Sequence, residues 1–185
     1  MSSQMLEMMD RLTGEALCRA YREGQRQFSH RDMTAIHLFQ VNLRNIDLQG
    51  SCLAQAYLPY CTFTLANLRA VDFTAAQLGD SNFYGATLTQ AQLPQADLNR
   101  ADLQMAHLQR CNLRRANLGG ADLRGADLSD ADLEGSSLTG AKLEGAILHG
   151  ANLRQCNLFR AVGVDLTGSR CDHTTILPTG YNYGR

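Results

Sequence analysis

The sequence predicts an all-β solenoid that winds once every twenty residues, with a short α-helical cap at its N-terminal end. Three observations predict it: a large apolar residue at every fifth position, a small residue two places before each, and charges of opposite sign twenty residues apart. With Phe28 as the first centre, the 27 fifth positions through Leu158 hold 22 Leu, 4 Phe and 1 Met without a frame slip. From Ser51 to Ala161 the position two before each centre holds 16 Ala, 3 Ser, 3 Cys and Val71, so space is tight there. Composition agrees: the 185 residues have 6% aromatic content and no Trp, fewer large rings than an ordinary globular core of this size uses.

A period of five fits neither regular element. On an α-helix it advances by about 140° per step and spreads the leucines around the cylinder. On a strand it sends successive centres to opposite faces. The chain must therefore turn once per unit, directing one large and one small side chain inward. Turn residues stand where this requires them. Gly lies two after the centre at 50, 85, 120, 125, 135, 140, 145 and 150, and Pro one after it at 59 and 94. These are the preferences of the two central positions of a type II turn. Tyr60, Leu65 and Met105, bulky residues in the glycine slot, point to another turn in their units. The residue just before the centre is Asn or Asp at 14 of 24 positions from 42 to 157; such side chains can bond the backbone at each corner.

Charge sets the lap. Within residues 26–160, at twenty residues Asp80–Arg100, Arg110–Asp130, Arg114–Glu134, Asp122–Lys142, Arg124–Glu144 and Glu134–Arg154 are opposite in sign, and Asp102–Asp122 is a like pair; at twenty-five the pairs are all alike. Paired laps lie ~4.8 Å apart, where opposite charges attract. Four units per lap follow, giving nearly seven laps and a rod about 30–35 Å long.

The pattern Ala-(Asp/Asn)-Leu-x-x is clear at Ala96–Asp97–Leu98, Ala101–Asp102–Leu103, Ala116–Asn117–Leu118, Ala121–Asp122–Leu123, Ala126–Asp127–Leu128, Ala131–Asp132–Leu133 and Ala151–Asn152–Leu153. It resembles the pentapeptide-repeat family, over residues 26–177 and with a cyanobacterial-like N-terminal cap. The resemblance implies a right-handed quadrilateral β-helix. Residues 1–25 are then the helical cap, 26–177 the β-helix and 178–185 a C-terminal tail. Within the cap, residues 3–23 read as helical. Thr13 and Glu15 mark an N-cap, Leu17, Ala20 and Tyr21 an apolar face, and Gly24 a stop. Arg26, Arg31, Ile36 and Ile46 at small-residue positions predict a looser first lap. Phe63 and Phe83 should stack on one face, with Phe73 opposite. At the far end Gly163 stands where Leu is due, and Leu166, Cys171 and Ile176 resume the register three residues late.

No catalytic constellation emerges: the chain has no P-loop, GxSxG or HExxH. Cys171–Asp172–His173 is the sole Cys/His neighbourhood and reads as coincidence, and Asp127, Asp130 and Asp132 fall on a solvated wall. The six cysteines form no CxxC, and the N-terminus lacks the basic and apolar regions of a secretory signal. Reduced thiols and a cytoplasmic location are expected. No cofactor and no metal are called for.

One surface feature stands out. Phe39, Tyr57, Pro59, Tyr60 and Phe159 share a face under the twenty-residue lap, and Phe39, Tyr57, Pro59 and Tyr60 form the candidate partner surface. The alternative is that the N-terminal helix folds over them. The function expected is a non-enzymatic protein-interaction or regulatory scaffold. Its partner would be another protein rather than nucleic acid or membrane, and a monomer is favoured over a dimer. The family also includes DNA mimics that bind the type II topoisomerase DNA gyrase. Mimicry needs a broad negative field, whereas the net charge here is −1 with 17 Lys+Arg against 18 Asp+Glu.

Overall fold

The computed structural model describes residues 9–184. The chain winds as a repeat solenoid of parallel, single-residue bridges. From Gln27↔Asp47 to Lys142↔Val162 every bridge joins residues twenty apart, in four columns. Through the regular stretch, from Phe28 to Leu143, the central N–H donates to the next lap, as in Leu98 N to Asn117 O at 2.7 Å. From Asp47 onward the residue before the centre donates to the previous lap, as in Asn117 N to Ala96 O at 2.9 Å.

The fifth-position Leu and Phe and the small residues before them form one continuous buried core. Phe63 and Phe83 stack at 5.1 Å and 12°, and Phe73 meets each edge-on at 6.4 Å. Three of the small polar residues of the interior share one device, and Ser136 and Cys156 bond each other instead. Ser51, Ser81 and Cys111 donate to the carbonyls of Phe28, Leu58 and Leu88, the central residues 23 positions earlier. Ser and Cys thus replace Ala without leaving an unpaired donor.

The fifth residue takes a left-handed φ in every unit from His30 to Arg160. Tyr60, Leu65 and Met105 do not use another turn: their φ values are 58°, 57° and 57°, matching Gly120 at 65° and Gly125 at 66°. The turn N–H, such as Ala66 N to Phe63 O at 3.0 Å, closes most corners, while Arg31 N and Cys61 N donate instead to the Ser51 and Ser81 hydroxyls of the next lap. Neighbouring laps hold both turn residues by hydrogen bonds, and that register overrides the cost of about 1–2 kcal/mol that a side chain pays in the left-handed region. The Asn/Asp column supplies the remaining bond. The carboxylate or amide oxygen accepts from the N–H two residues on, as in Asp47 to Gln49, Asp97 to Asn99 and Asp127 to Ser129.

The N-terminal end departs from the sequence reading. Helix α1 is Gly14–Arg22, capped by the Thr13 hydroxyl, which accepts from Ala16 N. It does not extend back through residues 9–12. Arg11 instead pairs in parallel with Asp32, with Leu12 N donating to Asp32 O at 2.8 Å. Residues 3–8 of the expected helix lie outside the described residues. α1 drives Leu17 fully into the core, over the end of the solenoid. The first lap is filled rather than loose: Ile46 is wholly buried, Arg26 lies 3.8 Å over the Tyr21 ring, and Arg31 pairs with Asp10 at 2.7 Å.

At the C-terminal end the lap shortens, to Asn152↔Arg170 and Asn157↔Ile176. Leu166 and Cys171 pack against the core as expected. Ile176 does not: it takes the bridging position, and Thr175 is the wholly buried small residue. One extra residue after Cys171 shifts the unit. The chain then reverses, and Asn182 bridges Ile176 antiparallel.

Candidate protein-interaction surface

The positions flanking each inward centre point to solvent, so the walls are made of the second, fourth and fifth residues of each unit. On the column that runs His37, Tyr57, Gln77 and Asp97, the first two rings stack at 5.7 Å and 28°. At the adjoining corner Phe39 meets Tyr60 edge-on at 5.7 Å. Phe39 is 54% exposed and Tyr60 47%, while Tyr57 and Pro59 are half-buried beside them. The four candidate residues therefore come together. Phe159 does not join them: it lies five laps from Pro59 on the same column of turns, with Arg160 stacked over its ring at 5.0 Å.

α1 does not cover the patch. Its Gly14 packs at the Leu38 side chain and the His37 carbonyl, and its Tyr21 hydroxyl donates to Arg44 O at 2.9 Å. It therefore lies across the end of the solenoid and leaves Phe39 and Tyr60 open.

An ionic chain props the corner. Arg100 donates to both Asp80 oxygens, Nε at 2.8 Å and Nη2 at 2.7 Å. Those bonds hold the Asp80 carboxyl below its ordinary range. Of the other charge pairs read at twenty residues, Arg114–Glu134 closes at 2.8 Å and Arg110–Asp130 at 4.0 Å. Arg124 turns instead to Asp122 in its own unit, at 2.6 Å, and Arg154 to Asp172 at 3.7 Å. Asp122 and Asp102 tolerate stacking because Arg124 binds the first and Asn82 and Gln104 donate to the second.

Among the described residues no group of three or more His, Cys, Asp or Glu could hold a metal ion. Asp127, Asp130 and Asp132 are not brought together: Asp127 accepts from Ser129 and Gln109, Asp130 faces Arg110, and Asp132 faces Arg114. In the Cys171–Asp172–His173 stretch, Asp172 accepts from Thr174. Burial pushes the Cys111 and Cys156 thiols up to about 12, which leaves them inert.

The model of the family described as pentapeptide repeats matches in overlapping copies that run from 36 to 170. The chain belongs to the pentapeptide-repeat family. Among solved pentapeptide-repeat structures it is similar to HetL, a protein involved in heterocyst differentiation regulation from the cyanobacterium Nostoc sp. strain PCC 7120. That likeness has a TM-score of 0.61 and 27% identity, over 93% of this chain and all of HetL. It is also similar to Rfr23 from the cyanobacterium Cyanothece 51142, with a TM-score of 0.45 and 27% identity, over 76% of this chain and 90% of Rfr23. A third likeness is to QnrB1, a plasmid-mediated fluoroquinolone resistance protein, with a TM-score of 0.40 and 19% identity, over 79% of this chain and 83% of the other. No curated protein matches in sequence.

Within this pentapeptide-repeat chain two surface features escaped the sequence reading. Leu65 and Met105 are 48% and 53% exposed at one corner, on either side of Gly85, with Tyr84 exposed beside it. Their place in the glycine slot was the available signal, because that slot always faces outward. The second is a groove beside α1. It depends on where the helix lies, and no periodicity in the sequence encodes that.

Proposed function

We propose that this pentapeptide-repeat protein is a non-enzymatic interaction module, a right-handed quadrilateral β-helix whose wall presents Phe39, Tyr57, Pro59 and Tyr60 to another protein. The observation that carries the reading is the Phe39–Tyr60 pair, more than two-fifths exposed in each ring yet held by a hydrogen-bonded scaffold. A rigid repeat surface loses little entropy on binding, and exposed aromatic clusters supply the contact area. Similarity to HetL, a protein involved in differentiation regulation, is in keeping with a regulatory scaffold. The same reading has it work in the cytoplasm as a monomer, where reduced thiols such as its unpaired cysteines are the rule. DNA mimicry of the gyrase-binding kind is the weaker reading, because Arg100, Arg110, Arg114 and Arg124 each neutralise a wall carboxylate.

The test is capture from a lysate of the cells that make the protein, with mass-spectrometric identification. The Phe39→Ser/Tyr60→Ser variant, shown folded by circular dichroism, should lose the partner that the unmodified chain retains. Equal capture by both would overturn the assignment of this surface.

A further inference from the structure

In the interior of the solenoid each bridging residue is paired on both sides, but the first lap has an outer edge. On one column that edge is already occupied by the chain itself: Asp32 N donates to Asp10 O and Leu12 N to Asp32 O. On the next two columns nothing equivalent happens among the described residues. The N–H and C=O of His37 and of Asn42 have no hydrogen-bond partner among the described residues, and both residues are exposed. At the corner beyond, the Tyr21 hydroxyl takes the Arg44 carbonyl in place of a backbone donor.

A groove follows this edge along α1. One stretch, of about 350 Å³, is lined by Gly14, Glu15, Cys18, Arg19, Arg22 and His37, with Leu38. The next, of about 430 Å³, shares Cys18 and Arg22 and adds Tyr21, Val41 and Asn42. Its charge is one-sided. Arg19 and Arg22 are exposed and neither makes an ion pair with a described residue, while Glu15 is the one acid in the lining. The groove is continuous with the aromatic patch, because His37 lines it and stacks on Tyr57.

We infer that an extended, acidic segment of the partner protein adds a rung at Asn42 in this groove, its carboxylates meeting Arg19 and Arg22. The inference rests on the protein-interaction reading above and names the chemistry of its partner. The pairing geometry is that of every other lap. Asn42 N–H donates to the carbonyl one residue before the pairing residue, and Asn42 C=O accepts from the N–H one residue after it. An open edge of this kind is a template for strand addition. A helix offers no free backbone to it, and a basic segment is repelled by the two guanidinium groups.

The test uses the full chain and a fluorescein-labelled nine-residue peptide alternating Glu and Val. Fluorescence anisotropy should show saturable binding that weakens with salt. Binding should fall by about tenfold or more for three changes: Lys in place of Glu, N-methylation of alternate peptide bonds, and the Arg19→Gln/Arg22→Gln variant. Phe39→Ser/Tyr60→Ser should keep the peptide, since it leaves Asn42 and both arginines in place. Equal binding of the Glu and Lys peptides, no loss on N-methylation, or no binding at all would overturn the inference. So would a dimer of the unmodified chain, seen by sedimentation, that the arginine variant dissociates, because a second copy would then own the edge. Loss of the peptide result with patch-dependent capture intact overturns only this inference. The reverse outcome overturns only the patch.

Discussion

At the scale of the residue, each place in the repeat has one physical duty, and substitutions should reveal it. Gln95 stands at φ 60° in the left-handed region, is exposed, and makes no side-chain hydrogen bond among the described residues. Gln95→Gly should therefore stabilise the protein by about 1 kcal/mol in denaturant unfolding, a sign opposite to that of most glycine substitutions. Phe73 is the ring that meets both Phe63 and Phe83. Phe73→Ala should cost about 3–5 kcal/mol in the same measurement, because the stacked pair cannot collapse into the space. Thiol reactivity should divide by depth. In native protein at pH 8, iodoacetamide should reach the half-exposed Cys18 and Cys171 and spare Cys111 and Cys156 until the chain unfolds. The inward positions were legible in the sequence because they repeat. The left-handed strain at Tyr60, Leu65 and Met105 was not, because turn preference is a local signal and the bonds to adjoining laps that override it are not local.

At the scale of the element, the ladders explain the response to acid. The bonds from Arg100 hold the Asp80 carboxyl below its usual value, and those from Arg124 do the same for Asp122. A depressed carboxyl stabilises the fold above its unfolded pKa, about 3.9, and that contribution is lost as pH falls through the folded value. Stability should be flat near neutrality and decline below about pH 4. The Asp80→Asn/Asp122→Asn variant should show a shallower acid limb when chemical denaturation is repeated across that range. The helical element was legible only in part. The Thr13 cap and the Leu17 face were plain in the sequence, but residues 9–12 were read as helix when they form a bridge to Asp32. A single-residue rung carries no periodicity of its own, and the edge that captures it becomes visible only once the first lap is folded.

At the scale of the whole molecule, the twenty-residue lap makes the chain modular. Removing residues 102–121 joins Ala101 to Asp122, which restores the Ala-Asp-Leu order and every later column. That deletion should unfold cooperatively, with an m-value lower by about one-ninth. Removing 102–108 instead throws the leucines out of step and should abolish the fold, as circular dichroism would report. The aromatic patch was legible because the lap length places Phe39 beside Pro59 and Tyr60. The groove was not, since it is made by the helix and the first lap together. The reversal at Asn182 has a consequence for behaviour in concentrated solution. A stack of rungs all running one way could recruit another molecule lengthwise and polymerise. Residues 177–182 turn back and pair antiparallel with Ile176, so on that column an incoming parallel rung meets donors and acceptors at the wrong spacing, which disfavours lengthwise addition there.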